Sequence, residues 1–77
     1  LQGQQFDYIF MDPPYRKGYI NEVLAMVFSL GLPAKEAVII AEHSVSESPD
    51  LSRFREQCIL WKEKKLGAIV VSYLLCR

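Results

Sequence analysis

The chain is short of almost every residue that marks a metal centre, a secreted scaffold or a membrane span. Two cysteines, Cys58 and Cys76, and a single histidine, His43, occur in 77 residues. The two cysteines fit no metal spacing and no disulfide framework, and predict reduced, buried thiols. No Asp or Cys is spaced with His43 for a triad or a ligand set, so no metal is expected. An excess of one charge is missing too. Nine basic residues balance nine acidic ones, so no global field draws the chain to nucleic acid, and RNA contact must rest on local patches. The longest apolar run, Ala68 to Cys76, has the length of a strand and includes Ser72 and Tyr73, too short to span a bilayer. No signal-peptide pattern opens the chain. These absences predict a soluble, cytoplasmic protein without a membrane partner.

What the chain has in plenty is apolar surface. Hydrophobic residues make up 51% of it, rich for a length that buries only a modest core. The chain also opens only a few residues before a buried-type strand. It reads as part of a larger domain whose remainder covers the surplus. Left as an edge without a Lys or Pro guard before Asp12, that strand is an aggregation hazard.

The most informative stretch is Asp12-Pro13-Pro14-Tyr15, at the end of Phe6-Asp7-Tyr8-Ile9-Phe10-Met11. The run has the aromatic and β-branched content of a strand buried on both faces. Two prolines cannot continue it, because each lacks an N–H and fixes φ near −65°. The residue before each proline is driven out of the helical region, so the turn is extended and stiff. A carboxylate, two proline carbonyls and an aromatic ring are thereby held at the C-terminal end of a strand, where open α/β sheets bind ligands.

Such a cluster suits an exocyclic amine on a nucleobase. That nitrogen is a poor nucleophile, because its lone pair is delocalised into the ring. Acceptors that take hydrogen bonds from both of its N–H groups pull it toward tetrahedral geometry. Asp12 and the Pro13 carbonyl are the acceptors at hand. Tyr15 can stack on the base, an interaction worth about 1–3 kcal/mol. Arg16-Lys17-Gly18 is a short basic loop, either a solvated turn or a phosphate contact.

Beyond it, Ile20, Val23, Leu24, Val27 and Phe28 recur at helical spacing from Tyr19 to Leu30, and Met26 and Leu30 widen the stripe. Gly31 stands at C′ and Pro33 blocks resumption. Lys35 and Glu36 read as a turn, and Ala37 to Glu42 as a second buried strand. Strand, helix and strand form a βαβ unit with parallel strands and a right-handed crossover. Glu42-His43-Ser44 then falls on the same edge as Asp12. A histidine at a strand end is more often structural, but this one is a candidate substrate contact. Ser48 and Pro49 predict the cap and first residue of a short helix, with Leu51 and Phe54 turned inward. Arg53 and Arg55 read as its solvated face. Gln57 to Lys65 is a strand whose charged second half suits an edge. Leu66-Gly67 is a tight turn and Ala68 to Cys76 a last strand, closing an antiparallel hairpin.

The motif matches the Asp/Asn-Pro-Pro-aromatic signature of amino-group methyltransferases that use S-adenosylmethionine. With the Arg16-Lys17-Gly18 extension, Glu42-His43-Ser44 and the terminal hairpin, the whole chain resembles the C-terminal half of a 16S ribosomal RNA guanine-N2 methyltransferase (RsmD-like). The resemblance implies an α/β fold, the C-terminal half of a Rossmann-like class I methyltransferase sheet: β-α-β, short helix, antiparallel β-hairpin. Residues 1–77 are then a partial domain. It further implies a catalytic set of Asp12, Pro13, Pro14 and Tyr15. Asp12 and Pro13 would lie near the methionine end of the cofactor, and Tyr15 would stack on the guanine. Arg16, Lys17 and His43 join as substrate contacts. The partner implied is ribosomal RNA or a small-subunit particle.

One departure from the family pattern matters. The glycine-rich loop after the first strand and the acidic residue for the cofactor ribose are absent. The isolated chain is therefore expected neither to bind S-adenosylmethionine well nor to turn over. Two other readings stand beside this one. The same tetrapeptide serves adenine-N6 methylation in DNA or RNA. A non-catalytic α/β fragment could instead self-associate through the edge of the Phe6–Met11 strand.

Overall fold

The computed structural model describes residues 5–12 and 19–77. Its elements follow in the order β1 (Phe6–Met11), α1 (Tyr19–Ser29), β2 (Pro33–Ser44), β3 (Cys58–Leu66) and β4 (Ile69–Cys76). They form a mixed α/β structure around a single four-stranded sheet, ordered β1-β2-β4-β3. β1 pairs parallel to β2. β4 pairs antiparallel to both β2 and β3. The parallel βαβ unit and the closing hairpin are those expected from the sequence. Among the described residues no helix is long and apolar enough to cross a membrane.

Alternation along the two central strands sets the layers. Ala37, Ile39, Ala41 and His43 of β2 face the same buried side as Val70, Ser72, Leu74 and Cys76 of β4. Ile20, Leu24 and Val27 of α1 cover that side with Phe54, and Met11 and Cys58 complete the core. The Phe28 and Phe54 rings meet at 5.4 Å between centroids. Met26 and Leu30 are exposed instead of widening the apolar stripe, because the helix meets the sheet along one narrow line. α1 ends in a Schellman motif. Gly31 has φ 65°, its N–H donates to the Phe28 carbonyl, and the Leu32 N–H donates to the Val27 carbonyl.

Several boundaries differ from expectation. β2 begins at Pro33, four residues early, and Lys35 and Glu36 lie within it. Glu36 takes a left-handed φ of 67°. Phe6 is opposite Pro33 while Tyr8 is opposite Val38, so the excess chain on β2 bulges there. Residues 51–57 form consecutive turns, not a helix. Phe54 N–H donates to the Asp50 carbonyl, and Gln57 and Cys58 both donate to the Phe54 carbonyl. Asp50 provides the cap that Ser48 was expected to provide, its carboxylate accepting from Arg53 N–H at 3.1 Å. Phe54 is buried as predicted, but Leu51 lies at the surface.

β1 departs most. It is an edge strand covered on one face, with Ile9 and Met11 against the core. Tyr8 and Phe10 on the other face are 73% and 67% exposed. Both α1 and the 51–57 turns lie on the Ile9 side, so among the described residues nothing covers the second face. β3 is the other edge, as its lysines predicted. An extra residue at Trp61, between the pairs Leu60–Leu74 and Lys62–Tyr73, makes a bulge. It sets the Trp61 ring edge-on to Tyr73, and Lys62 Nζ lies 4.7 and 4.8 Å from the two ring centroids.

Leu24 is fully buried, so Leu24→Ala should destabilise by about 2–5 kcal/mol. A Cβ at Gly31 would meet open space, so Gly31→Ala should cost only about 1 kcal/mol, through φ alone. Urea unfolding of both variants checks the pair; a larger loss at Gly31 would contradict this packing.

Candidate functional site

Parallel pairing places the C-terminal ends of β1 and β2 on one edge of the sheet. The register there is tight: Ile9 opposite Ile39, Phe10 opposite Ile40, Met11 opposite Ala41. Met11 and Ala41 are both buried and fix the last step of the ladder. Asp12 follows Met11 and is exposed, as Glu42 follows Ala41. The strand thus ends on a buried methionine and turns a carboxylate out to solvent one residue later. Pro13, Pro14, Tyr15, Arg16 and Lys17, named from the sequence as catalytic or substrate-binding, lie outside the described residues. α1 resumes at Tyr19.

His43 sits on the core side of β2, 3% exposed. Its Nδ1 lies 2.8 Å from the Ser44 carbonyl oxygen and its Nε2 2.7 Å from Ser72 Oγ. A carbonyl can only accept, so Nδ1 carries the hydrogen. In the neutral ring, Nε2 then accepts from the Ser72 hydroxyl. Ser72 pairs with Ala41 and His43 with Val70, so the bond runs diagonally across β2 and β4. Both ring nitrogens are satisfied within the fold. His43, expected as a substrate contact, is held as a strap inside the sheet, its ring on the core side of β2. The period-two alternation of β2 carried the signal: a residue two steps beyond Ala41 shares its buried face.

Asn21 was missed in the sequence. It sits in the first turn of α1, and its amide clamps the loop that leaves β2. Asn21 Nδ2 donates to the Ser48 carbonyl at 3.3 Å, and Asp50 N–H donates to Asn21 Oδ1 at 2.6 Å. Ser44 and Ser46 hydroxyls meet at 3.0 Å in the same loop, and Val45 N–H donates to the Ala68 carbonyl. A polar residue on the flank of an apolar helix stripe was the available clue. The clamp ties the start of α1 to the loop after β2, both on the Asp12 edge.

The opposite edge holds a different feature. Phe28, Gly31, Pro33, Gln57, Cys76 and neighbouring charged groups line a cavity of about 190 Å³, at the start of β2 and the end of β4. Of the described glycines, Gly31 caps a helix and Gly67, with φ 68°, makes the β3–β4 turn. Gly67 follows β3 on the Asp12 edge but makes a tight turn between antiparallel strands, and Gly31 lies on the opposite edge, so neither belongs to a glycine-rich strand-to-helix loop.

The sequence matches, over residues 1–75, the model of the family described as conserved hypothetical protein 95. No curated protein matches the chain. Among solved structures, it is similar to the Escherichia coli protein YhhF, proposed to be a methyltransferase, with TM-score 0.80 and 25% identity over 99% of this chain and 40% of that one. A Haemophilus influenzae protein proposed to be a methylase aligns with TM-score 0.81 and 21% identity, covering 97% of this chain and 42% of that one. A conserved hypothetical protein of Streptococcus pyogenes aligns with TM-score 0.72 and 22% identity, covering 96% and 45%. The chain thus spans less than half the length of these structures.

Ser72→Ala removes the hydroxyl that serves His43 Nε2 and leaves a buried ring nitrogen unsatisfied. It should lower stability by about 1–3 kcal/mol, read by urea unfolding. Unchanged stability would mean that the strap does not hold the sheet.

Proposed function

Because the chain belongs to the conserved hypothetical protein 95 family, we propose that it carries the amine-holding half of an S-adenosylmethionine-dependent methyltransferase. The substrate we assign to the whole protein is the exocyclic N2 amino group of a guanine in small-subunit ribosomal RNA, presented as RNA or as a subunit particle. One observation carries the reading: an exposed carboxylate, Asp12, directly follows the buried Met11–Ala41 step at the C-terminal edge of a parallel strand pair. That edge is where open α/β sheets bind ligands, and the Pro-Pro-Tyr sequence next to Asp12 supplies further acceptors and a ring.

In this proposal Asp12 and the Pro13 carbonyl accept hydrogen bonds from the two amine hydrogens. They turn the nitrogen lone pair out of conjugation and toward the methyl donor. Pro13 and Pro14 hold the acceptors stiffly, which lowers the entropy lost on reaching an in-line geometry. Tyr15 stacks on the base, and Arg16 and Lys17 contact the phosphates that flank it. Asp12 need not be a strong base, since the amino group loses its proton readily once it has attacked. The chemistry that S-adenosylmethionine supplies when bound is an electrophilic methyl on a sulfonium. Asp12 and Pro13 suit its methionine end. Nothing among the described residues suits its nucleoside, so cofactor affinity is assigned to the greater part of the relatives' length that this chain does not span.

A second reading finds support in β1. Its outer face exposes Tyr8 and Phe10, and its outer edge, unpaired among the described residues, is a template for another copy. Light scattering on the isolated 77-residue chain separates the two: a dimer that loses its contact on Phe10→Lys favours self-association, and a monomer counts against it.

In the full-length protein, Asp12→Ala should slow methyl transfer about 10²–10³-fold while cofactor affinity stays near wild type. Equal losses in both would make Asp12 structural. Tyr15→Phe should retain most activity, since stacking needs the ring and not the hydroxyl. Mass analysis of the methylated nucleosides decides between guanine-N2 and adenine-N6.

A further inference from the structure

Cys58 opens β3 and Cys76 closes β4, and the two stand directly opposite each other in the antiparallel ladder. Sequence spacing hides this, because the whole β3–β4 hairpin lies between them. The hydrogen bonds around the pair identify its type. Arg77 N–H donates to the Gln57 carbonyl at 2.9 Å, one residue outside the pair on each strand. Cys58 N–H turns away, to the Phe54 carbonyl at 3.0 Å. Cys58 and Cys76 therefore form a non-hydrogen-bonded pair, the class in which opposed Cα atoms approach to about 4.5 Å and side chains lie closest. That spacing falls at the short end of the range a disulfide spans, about 4.4–6.8 Å. Both side chains point to the same buried face, at 2% and 4% exposure, and both are free thiols.

We propose that Cys58 and Cys76 are a dithiol site that closes a cross-strand disulfide by exchange with a low-molecular-weight disulfide such as oxidised glutathione. The site is independent of the methyl-transfer reading and lies at the other edge of the sheet. Cys76 lines the 190 Å³ cavity beside Phe28, Glu56 and Arg77 and is the thiol met first. Its thiolate attacks one sulfur of the glutathione disulfide, forming a mixed disulfide and expelling a glutathione thiolate. Cys58, deprotonated in turn, attacks the Cys76 sulfur, and the second glutathione leaves. Two protein S–H bonds and one glutathione S–S bond break. One protein S–S bond and two glutathione S–H bonds form, and the two thiol protons end on glutathione.

Burial sets the pace of this exchange. It pushes the Cys76 thiol up to about 11, helped by the neighbouring Cys58. Cys58 is also raised by burial, partly offset by the Arg77 guanidinium. Both groups are thiols at neutral pH, so the site is slow to react. Its equilibrium, however, is set by ladder geometry. A pair held within that span closes without backbone movement, and excess glutathione thiol reopens the bond by the same exchange.

The test is refolding of the purified protein from denaturant in glutathione buffers, started from reduced and from oxidised material, then alkylation and tryptic digestion without reduction. Cleavage after Arg55, Lys62 and Lys65 puts the two cysteines on separate peptides. The expected result in oxidising buffer is a linked pair of these peptides, lighter by two hydrogens, from material monomeric on a non-reducing gel. It should exceed the glutathione adduct at least roughly tenfold, as an intramolecular thiol at high effective concentration requires. Cys58→Ser should abolish the link and leave Cys76 glutathionylated. Two separately alkylated peptides from oxidised wild type, or links only between copies, would overturn the proposal.

Discussion

Parallel pairing of β1 with β2, in the register that sets Met11 against Ala41, is the constraint on which the site depends. The side-chain period in a strand is two, so a slip of one residue would send Met11 to the open face and Phe10 into the core. The register holds because Ile9 and Met11 pack with Ile39 and Ala41 under α1. The bulge at Glu36 absorbs the excess length of β2 before the paired stretch begins. Every residue on the Asp12 edge inherits its place from that ladder. The His43–Ser72 bond and the Asn21 clamp reinforce it from β4 and from the helix.

Much of this was legible in the residues. The stripe Ile20, Leu24, Val27 and the stop at Gly31 defined α1, since helix periodicity and a left-handed C′ glycine are local signals. The lysines of β3 marked an edge, and Leu66-Gly67 marked the turn. Three features were not legible, each for a physical reason. Glu36 occupies a backbone region that non-glycine residues seldom enter, so Lys35-Glu36 read as a turn when it is a bulge inside a longer strand. Burial of β1 depends on what lies across the sheet, and local composition cannot report that Tyr8 and Phe10 stay exposed among the described residues. His43 shares the buried face of Ala41 and is satisfied by Ser72, a partner 29 positions away. Of the proposed site, Asp12 alone falls among the described residues; the motif around it was read from the chain.

The sheet carries different chemistry at its two ends. The carboxyl edge of the parallel pair ends in an exposed carboxylate and a loop pinned by amide hydrogen bonds. Its opposite edge has the helix C-cap, the start of β2 and the paired thiols of Cys58 and Cys76 beside a small cavity. The hairpin connects them, since β4 runs from the Val45–Ala68 contact near one edge to Cys76 at the other. The open face of Tyr8, Phe10 and the Trp61–Lys62–Tyr73 group lies between, apolar and aromatic, opposite the covered face.

Interstrand backbone nuclear Overhauser effects across β1 and β2 test the central claim most directly. The account predicts Hα–HN contacts of parallel strands linking Ile9 with Ile39, Phe10 with Ile40 and Met11 with Ala41. Contacts displaced by one residue, or antiparallel ones, would move Asp12 off the edge it shares with Glu42 and contradict the account.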